Sequence, residues 1–362
     1  MTNAVSLAQQ ASTGVSQGFK NRIINGAMVI DQRNAGSAVT SSGSYPVDRF
    51  YVNNSSDATF SAQQSTDVPT GQGFVNSLKV TYPTGDASIG ATQYSNIQHN
   101  IEGFNVADLG FGGSGAKSVT LSFWVKASVA GQYSYAIYNS AESRINPQPF
   151  TINSANTWEF KSITYAGDTT GTWLTNNGKG LTVTLYTALG SNFLGSAGWN
   201  SSGIYGVTGQ ANAMASNGNI FAITGVQLEV GSTATSFDTR SYGQELILCQ
   251  RYFEIACSTG YNNGLACSNF NAADTYTNVR FVVTKRATPT VTVASPANSW
   301  NLYGNGSLSY VVTAIQSQNV GNTSFQLRIS TSNQLNQGGA SHLDFNTVTV
   351  ANSGGWNASA EL

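Results

Sequence analysis

Residues 219 to 254, NIFAITGVQLEVGSTATSFDTRSYGQELILCQRYFE, decide how the chain is read, because a strand pattern ends here and a helical one begins. Ile220, Ala222, Thr224, Val226, Leu228 and Val230 fall on one face at the two-residue strand period, with Phe221, Ile223, Gln227 and Glu229 on the other. The first half of this strand is therefore expected to pack on both sides and the second half on one. A polar segment follows Gly231 and ends at Arg240. Ser241 and Gln244 then form a capping box, in which the serine oxygen accepts from the backbone NH of Gln244 and the glutamine amide reaches back. Leu246, Cys249 or Gln250, and Phe253 recur at helical spacing. The stretch predicts a strand and a short helix joining two bodies, residues 21–240 and 241–362, behind a terminal segment at 1–20.

The composition agrees with two domains of 362 residues and limits what they bind. Charged residues are 9% of the chain, against about 25% in a typical soluble protein. Apolar residues at 40% and aromatics at 11% argue against disorder, which goes with few aromatics and high net charge. The surface must then be built from Ser, Thr, Asn, Gln and Gly, whose hydroxyls and amides suit neutral ligands or neighbouring protein. With 16 basic and 17 acidic residues there is no electrostatic footprint for nucleic acid. No run approaches the ~18 apolar residues of a membrane span, and MTNAVSLAQQ lacks the basic start and apolar core of a secretion signal. Folding in a cytoplasm without membrane insertion is the expectation.

Cys249, Cys257 and Cys267 are an odd number without CxxC spacing, which predicts free or buried thiols rather than a disulfide frame or zinc site. His99 and His342 have no ligand partner at fixed spacing and are expected to be structural or exposed. No metal and no cofactor is expected; Asp168 and Asp238 are the acids considered for calcium, but no EF-hand pattern surrounds them.

From Asn21 to Arg240 the chain is a series of short strands separated by Gly, Asn, Ser and Asp clusters, the pattern of a sandwich or barrel. Val119, Leu121, Phe123 and Val125 alternate with Thr120, Ser122, Trp124 and Lys126, placing a core on one face and an indole on the other. Leu181, Val183 and Leu185 oppose Thr182 and Thr184, just after an Asn176-Asn177-Gly178 turn signal. The prediction is an all-β protein: an N-terminal jelly-roll-like β-sandwich joined by a short helix to a C-terminal β-sandwich. Composition alone also allows an immunoglobulin-like sandwich. In the C-terminal part Val279, Phe281 and Val283, then Val291 and Val293, then Phe325, Leu327 and Ile329, and finally Val348 and Val350 form alternating segments, one of them bracketed by Pro289 and Pro296.

Sugar chemistry selects the candidate contacts. A pyranose stacks its CH face on an aromatic ring and pairs its hydroxyls with amides and carboxylates. Trp173, Asn176, Asn177, Phe193, Trp199, Asn200, Tyr205, Gln210 and Asn212 form the longest stretch of that kind. The competing reading is that Trp199 and Tyr205 plug the open end of the sandwich. Trp300, Tyr303, Tyr310 and Trp356 are the candidates in the C-terminal body, so Trp300→Ala is expected to spare folding. Catalysis is not expected. Glu142, Glu159, Asp168, Asp274 and Asp344 sit in no recognisable motif, no GxSxG elbow occurs, and GFGGSG at 110–115 lacks the Lys-Ser/Thr of a phosphate loop.

Four segments carry a resemblance: residues 18–36 (GFKNRIINGAMVIDQRNAG), 45–50 (YPVDRF), 118–128 (SVTLSFWVKAS) and 224–252 (TGVQLEVGSTATSFDTRSYGQELILCQRY). They are similar to a widespread family of bacteriophage virion proteins, mostly tail fibre or receptor-binding components; the terminal SAEL resembles the family ending. Phe50 departs from the tryptophan usual there. The resemblance implies a carbohydrate-binding-module-like jelly roll, folded in the host cytoplasm and incorporated into the virion, that recognises a host-surface glycan. It also implies a homotrimer, attached to other tail or capsid proteins through residues 2–17. Alternatives within that setting are a purely structural capsid-decorating or tail connector subunit, and a polysaccharide depolymerase.

Overall fold

The computed structural model describes residues 20–256, 265–293, 300–304, 308–332, 335–345 and 355–362. The expectations for the terminal segment before Lys20, for Cys257 and Pro296, and for Val348 and Val350 lie outside the described residues. The chain divides into two units, one running through Glu245 and including Leu362, the other Leu246–Glu361.

The first unit contains β1 (Ser44–Val47), β2 (Phe50–Asn54), β3 (Thr59–Ser65), β4 (Ser77–Thr84), β5 (Tyr94–Glu102), β6 (Val119–Ala127), β7 (Gly131–Tyr138), β8 (Ile145–Ile152), β9 (Glu159–Tyr165), β10 (Lys179–Leu189), β11 (Leu194–Gly195), β12 (Gly206–Val207) and β13 (Asn219–Val230). A six-stranded sheet in the order β1-β2-β5-β10-β7-β8 faces a five-stranded sheet in the order β3-β4-β13-β6-β9. This is the predicted all-β jelly roll. Inward residues of both sheets, among them Val52, Ile97, Val183, Leu185, Ile137, Leu78, Phe123 and Leu121, form one core. The alternation read in β6 and β10 is the physical cause: their apolar positions face that core.

In β13 the structure corrects the sequence reading. A bulge interrupts its pairing with β6 between Thr224 and Gln227, and Gly225 there has φ of +62°. The extra residue changes the parity of the strand. Phe221 and Ile223 therefore share the core with Val226 and Leu228, and Gln227 and Glu229 share the outer face with Ala222 and Thr224. A Cβ at Gly225 would lie 2.5 Å from the Phe74 ring, so glycine is required by packing as well as by φ. The outer face is not left on one side to solvent: Gln227 is fully buried and Glu229 nearly so. The segment after Gly231 folds back on them, with Asp238 N donating to Gln227 Oε1 at 2.7 Å and Thr235 Oγ1 to Glu229 Oε2 at 2.7 Å.

Much of the sequence that carries the resemblance converges on one hydrogen-bonded seam beside this strand. Asn21 Nδ2 donates to the Val226 carbonyl at 3.2 Å, and its Oδ1 accepts from Leu228 N at 3.1 Å. Asn25 lies in the left-handed region at φ +62° and donates to the carbonyls of Ile30 and Asp48 at 2.8 and 2.9 Å. Its backbone NH donates to Glu245, which also pairs with Arg240. Arg240 in turn donates to the carbonyls of Asn21 and Ile23. His99 is buried against this seam, its Nε2 3.1 Å from the Ile24 carbonyl. Burial, with Arg49 adding to it, holds its imidazole well below the usual histidine range.

Helix α1 (Tyr242–Gln250) starts at the predicted capping box, with Gln244 N donating to Ser241 Oγ at 3.4 Å and Ser241 N to Gln244 Oε1 at 3.2 Å. The buried stripe is Glu245, Cys249 and Tyr252 rather than one led by Leu246, because the Glu245 carboxylate is the acceptor that the seam uses. Among the described residues no helix is long and apolar enough to cross a membrane.

The second unit contains β14 (Phe253–Ala256), β15 (Leu265–Asn269), β16 (Asp274–Arg280), β17 (Thr290–Val293), β18 (Trp300–Gly304), β19 (Leu308–Tyr310), β20 (Val312–Gln318), β21 (Ser324–Thr331), β22 (Ala340–Phe345) and β23 (Trp356–Ser359). They form a seven-stranded sheet, β19-β18-β22-β15-β16-β21-β20, and a three-stranded one, β14-β23-β17. Phe281, Phe325 and Trp356 join in the second core through ring contacts of 5.0 to 5.7 Å. Trp300 and Trp356 are only 4% and 6% exposed, so the sequence expectation that they contact ligand is corrected: they are core. Trp300→Ala would open a cavity there rather than spare folding. Lys285 is fully buried, and its ammonium donates to the Glu254 carboxylate and the Gln250 carbonyl. Cys249 and Cys267 are buried and form no disulfide; burial pushes the Cys267 thiol up to about 12.

Candidate functional site

The outer face of the six-stranded sheet carries a cleft of about 240 Å³ lined by ten residues, Asn53, Tyr94, Asn96, Gln98, Tyr138, Glu142, Tyr186, Leu189, Phe193 and Tyr205. Strand register assembles it. Asn53 on β2 pairs with Asn96 on β5, and Asn96 pairs with Tyr186 on β10. Tyr94 and Gln98 stand two residues either side of Asn96 and so share its face. Tyr138 ends β7, and its hydroxyl is 2.9 Å from Thr184 Oγ1 and donates to Gln98 Oε1 at 3.3 Å. The same strands turn Ile97, Val183, Leu185 and Ile137 inward, so the sandwich core fixes the backbone beneath the cleft.

The far wall is a strapped loop. Leu194 pairs with Gly206, Tyr205 N donates to the Phe193 carbonyl at 2.9 Å, and Val207 N donates to Ser134 Oγ at 2.9 Å. These bonds bring the Tyr205 ring to 5.8 Å from Tyr138, 5.9 Å from Tyr186 and 5.9 Å from Phe193. Tyr205 donates to the Glu142 carboxylate, while Asn53 Nδ2 donates to the Tyr94 hydroxyl at 3.1 Å. Burial pushes the Tyr138 and Tyr205 phenols up, and the Glu142 carboxylate adds to the rise; both remain protonated. Asn96 is 5% exposed, and its Oδ1 is buried without a hydrogen-bond partner. Such an acceptor costs about 1–3 kcal/mol.

The candidates read from sequence are scattered by the fold. Phe193 and Tyr205 line the cleft. Trp199 and Trp173 do not; their rings are 5.7 Å apart and meet Phe111 at 6.0 and 4.9 Å, partly buried against the core. Their indole nitrogens donate to the Ala166 and Thr170 carbonyls at 3.0 and 3.1 Å. Trp199 thus packs against the main core, and Tyr205 against a separate buried cluster that includes Tyr138, Tyr186 and Leu189. Asn176 holds a turn, its Oδ1 accepting from Gly178 N at 2.8 Å. In the second unit Tyr303 stacks on His342 at 5.2 Å, and Tyr310 packs against the second core.

The acids that could serve in catalysis are mostly in ion pairs. Asp168 accepts from both Arg144 Nε and Nη2, Glu159 from Lys161, and Asp274 from Arg328, while Asp344 lies 3.4 Å from His342. Arg144 therefore occupies the Asp168 carboxylate, one of the two acids considered for calcium. Among the described residues no group of three or more His, Cys, Asp or Glu is arranged to hold a metal.

Sequence reasoning missed Tyr94, Asn96, Gln98, Tyr138 and Tyr186. A signal was present, since Thr182, Thr184 and Tyr186 continue one outward face opposite Leu181, Val183 and Leu185. Nothing in the sequence paired that face with β5 and β7.

No protein-family model matches the chain, and no curated protein matches it. Among solved structures it is similar to the enzymatically active domain of bacteriophage CBA120 tailspike protein 4, at 15% identity and a TM-score of 0.31 over 58% of this chain. That match spans 21% of the tailspike chain. It is also similar to the family 11 carbohydrate-binding module of Clostridium thermocellum in complex with a β-1,3-1,4-mixed-linked tetrasaccharide, at 14% identity and a TM-score of 0.30, over 56% of this chain and all of that one. A third is the family 61 module TmCBM61 in complex with β-1,4-galactotriose, at 8% identity and a TM-score of 0.27 over 50% of this chain and 88% of that one.

Proposed function

We propose that the protein binds a host-surface glycan through the tyrosine cleft, without catalysis, as a receptor-binding subunit of a bacteriophage virion. The observation that carries the glycan reading is the cleft itself: half-buried Tyr94, Phe193 and Tyr205 offer ring surface for sugar CH groups over a floor of buried Tyr138 and Tyr186, beside three amides that pair with hydroxyls. The virion setting rests on the sequence resemblance. Hydrolysis by the usual route takes two carboxylates roughly 5–10 Å apart, and Glu142 is the one carboxylate lining the cleft. Each site would be weak, and several copies, as in a homotrimer, would supply avidity.

The test is adsorption of the full-length protein to host cells and to their purified surface polysaccharide, with light scattering for copy number. Loss of adsorption in a Tyr94→Ala/Tyr205→Ala variant that still melts cooperatively supports the reading. Binding to virion components alone, with none to any polysaccharide, points to the purely structural subunit. Shortening of the polysaccharide on incubation points to the depolymerase.

A further inference from the structure

We infer that Glu142 makes this cleft selective for glycans bearing a protonated amine or other ammonium group over acidic glycans. The inference rests on the glycan reading above and specifies its ligand class. Two independent features carry it. The first is charge: Glu142 is the only ionisable group other than tyrosine among the ten lining residues, with no Lys, Arg or His beside it. An acidic sugar would meet like charge and no cation, whereas an ammonium group would meet a carboxylate and the negative faces of aromatic rings. Tyrosine and phenylalanine faces attract cations, and aromatic cages hold quaternary ammonium groups in this way. Here the rings of Tyr138, Tyr186 and Phe193 each lie within 6 Å of that of Tyr205, whose hydroxyl donates to that carboxylate.

The second feature is the backbone that delivers Glu142. It occupies the left-handed region at φ +53°, where glycine, asparagine or aspartate is the usual residue. Asn139, fully buried, holds this turn: its Oδ1 accepts from Ser143 N and Arg144 N at 3.0 and 3.2 Å, and its Nδ2 donates to Ser143 Oγ and the Thr172 carbonyl, both at 3.0 Å. Glu142 N donates to the Asn139 carbonyl at 3.1 Å. Just past the turn, Arg144 is committed to Asp168 by two bonds of 2.7 and 2.9 Å, which leaves the Glu142 carboxylate to Tyr205 and the cleft. A turn needing only shape would take glycine at 142. Strain kept at a residue that presents a charge to a cleft points to a use for that charge.

The experiment titrates the full-length protein, near pH 6, with a glucosamine tetramer, the N-acetylglucosamine tetramer, a galacturonate tetramer and choline. The expected result is that the glucosamine tetramer binds about five-fold more tightly than its acetylated counterpart, a factor in keeping with a partly exposed ion pair and cation–π contact. The galacturonate tetramer should not bind. Glu142→Gln should abolish the five-fold preference, read as the ratio of the two tetramers' affinities, which a general weakening of the cleft would leave at five. Glu142→Gly, which relieves the turn, should do the same, separating charge from folding. Competition by choline, dependent on Glu142, would indicate a quaternary ammonium substituent on the natural glycan; competition by glucosamine alone would indicate a ring amine, and both support the inference. Equal binding of the two tetramers, a preference that survives Glu142→Gln, or binding of galacturonate overturns it and leaves the glycan reading standing. Binding of none of the sugars overturns the inference, and if host polysaccharide also fails to bind, the glycan reading falls with it.

Discussion

The seam around β13 and the cleft on the six-stranded sheet use the same side chains for opposite ends. At the seam every asparagine is spent internally: Asn21 and Asn25 bridge backbone groups between distant segments, and Arg240 and Glu245 close the remaining gaps. In the cleft Asn96 keeps a buried oxygen without a partner, and the tyrosines spend their faces on one another around an open volume. The hydrogen-bonded network of the seam rigidifies the fold, although His99 Nδ1 there, like Asn96 Oδ1, is buried without a partner. None of the four segments that carry the sequence resemblance lines the cleft, so the resemblance concerns the scaffold.

The difference can be broken by substitution. The largest expected effect is at Leu228, fully buried beside the bulge: Leu228→Ala should cost about 2–5 kcal/mol in denaturant unfolding of the first unit. A smaller loss would mean that β13 is not the centre of the core. Next, Tyr205→Ala should weaken glycan binding by about 2 kcal/mol or more, roughly thirty-fold, while leaving the melting temperature almost unchanged. If stability fell as far as binding, the loop would be scaffold.

Asn25→Ala removes all three bonds of its side chain to backbone groups and should destabilise by about 2 kcal/mol or more, read by the same unfolding curve. Asn96→Leu should do the reverse. It removes a buried acceptor without a partner, so stability should hold or rise while calorimetry shows weaker sugar binding. Destabilisation at Asn96 comparable to that at Asn25 would erase the contrast between the two regions.

The smallest expected effect is a pH response belonging to the seam. The folded imidazole of His99 is held well below its unfolded value near 6.5, so the unfolded chain binds the extra proton. Stability is then full above about pH 6.5 and falls as pH drops through that value, by at most ~1.4 kcal/mol per unit. Thermal melts at pH 7.5 and 5.5 should show this in the native protein and lose it in His99→Gln. Binding of a neutral glycan should stay level over the same range, because the cleft has no histidine among its lining residues. A bell-shaped or sloping binding curve would place a titrating group in the cleft after all.

The amino-acid sequence by itself determined the all-β class, the Ser241 capping box and the alternation of β6 and β10. Each depends on residues that are neighbours in the chain, where the period of side-chain direction is two in a strand and near four in a helix. Even there a single extra residue at Gly225 reversed the faces of β13, since a bulge leaves no mark in an alternating pattern beyond one glycine. The tertiary structure alone decided the cleft. Asn53, Asn96, Tyr138, Tyr186 and Tyr205 come from β2, β5, β7, β10 and a strapped loop, and they meet because of strand order and register. It likewise decided that Trp300 and Trp356 are core while Tyr205 is not. An aromatic side chain reads alike in sequence whether its face is covered by the core or left to a ligand, and only the packing around it makes the distinction.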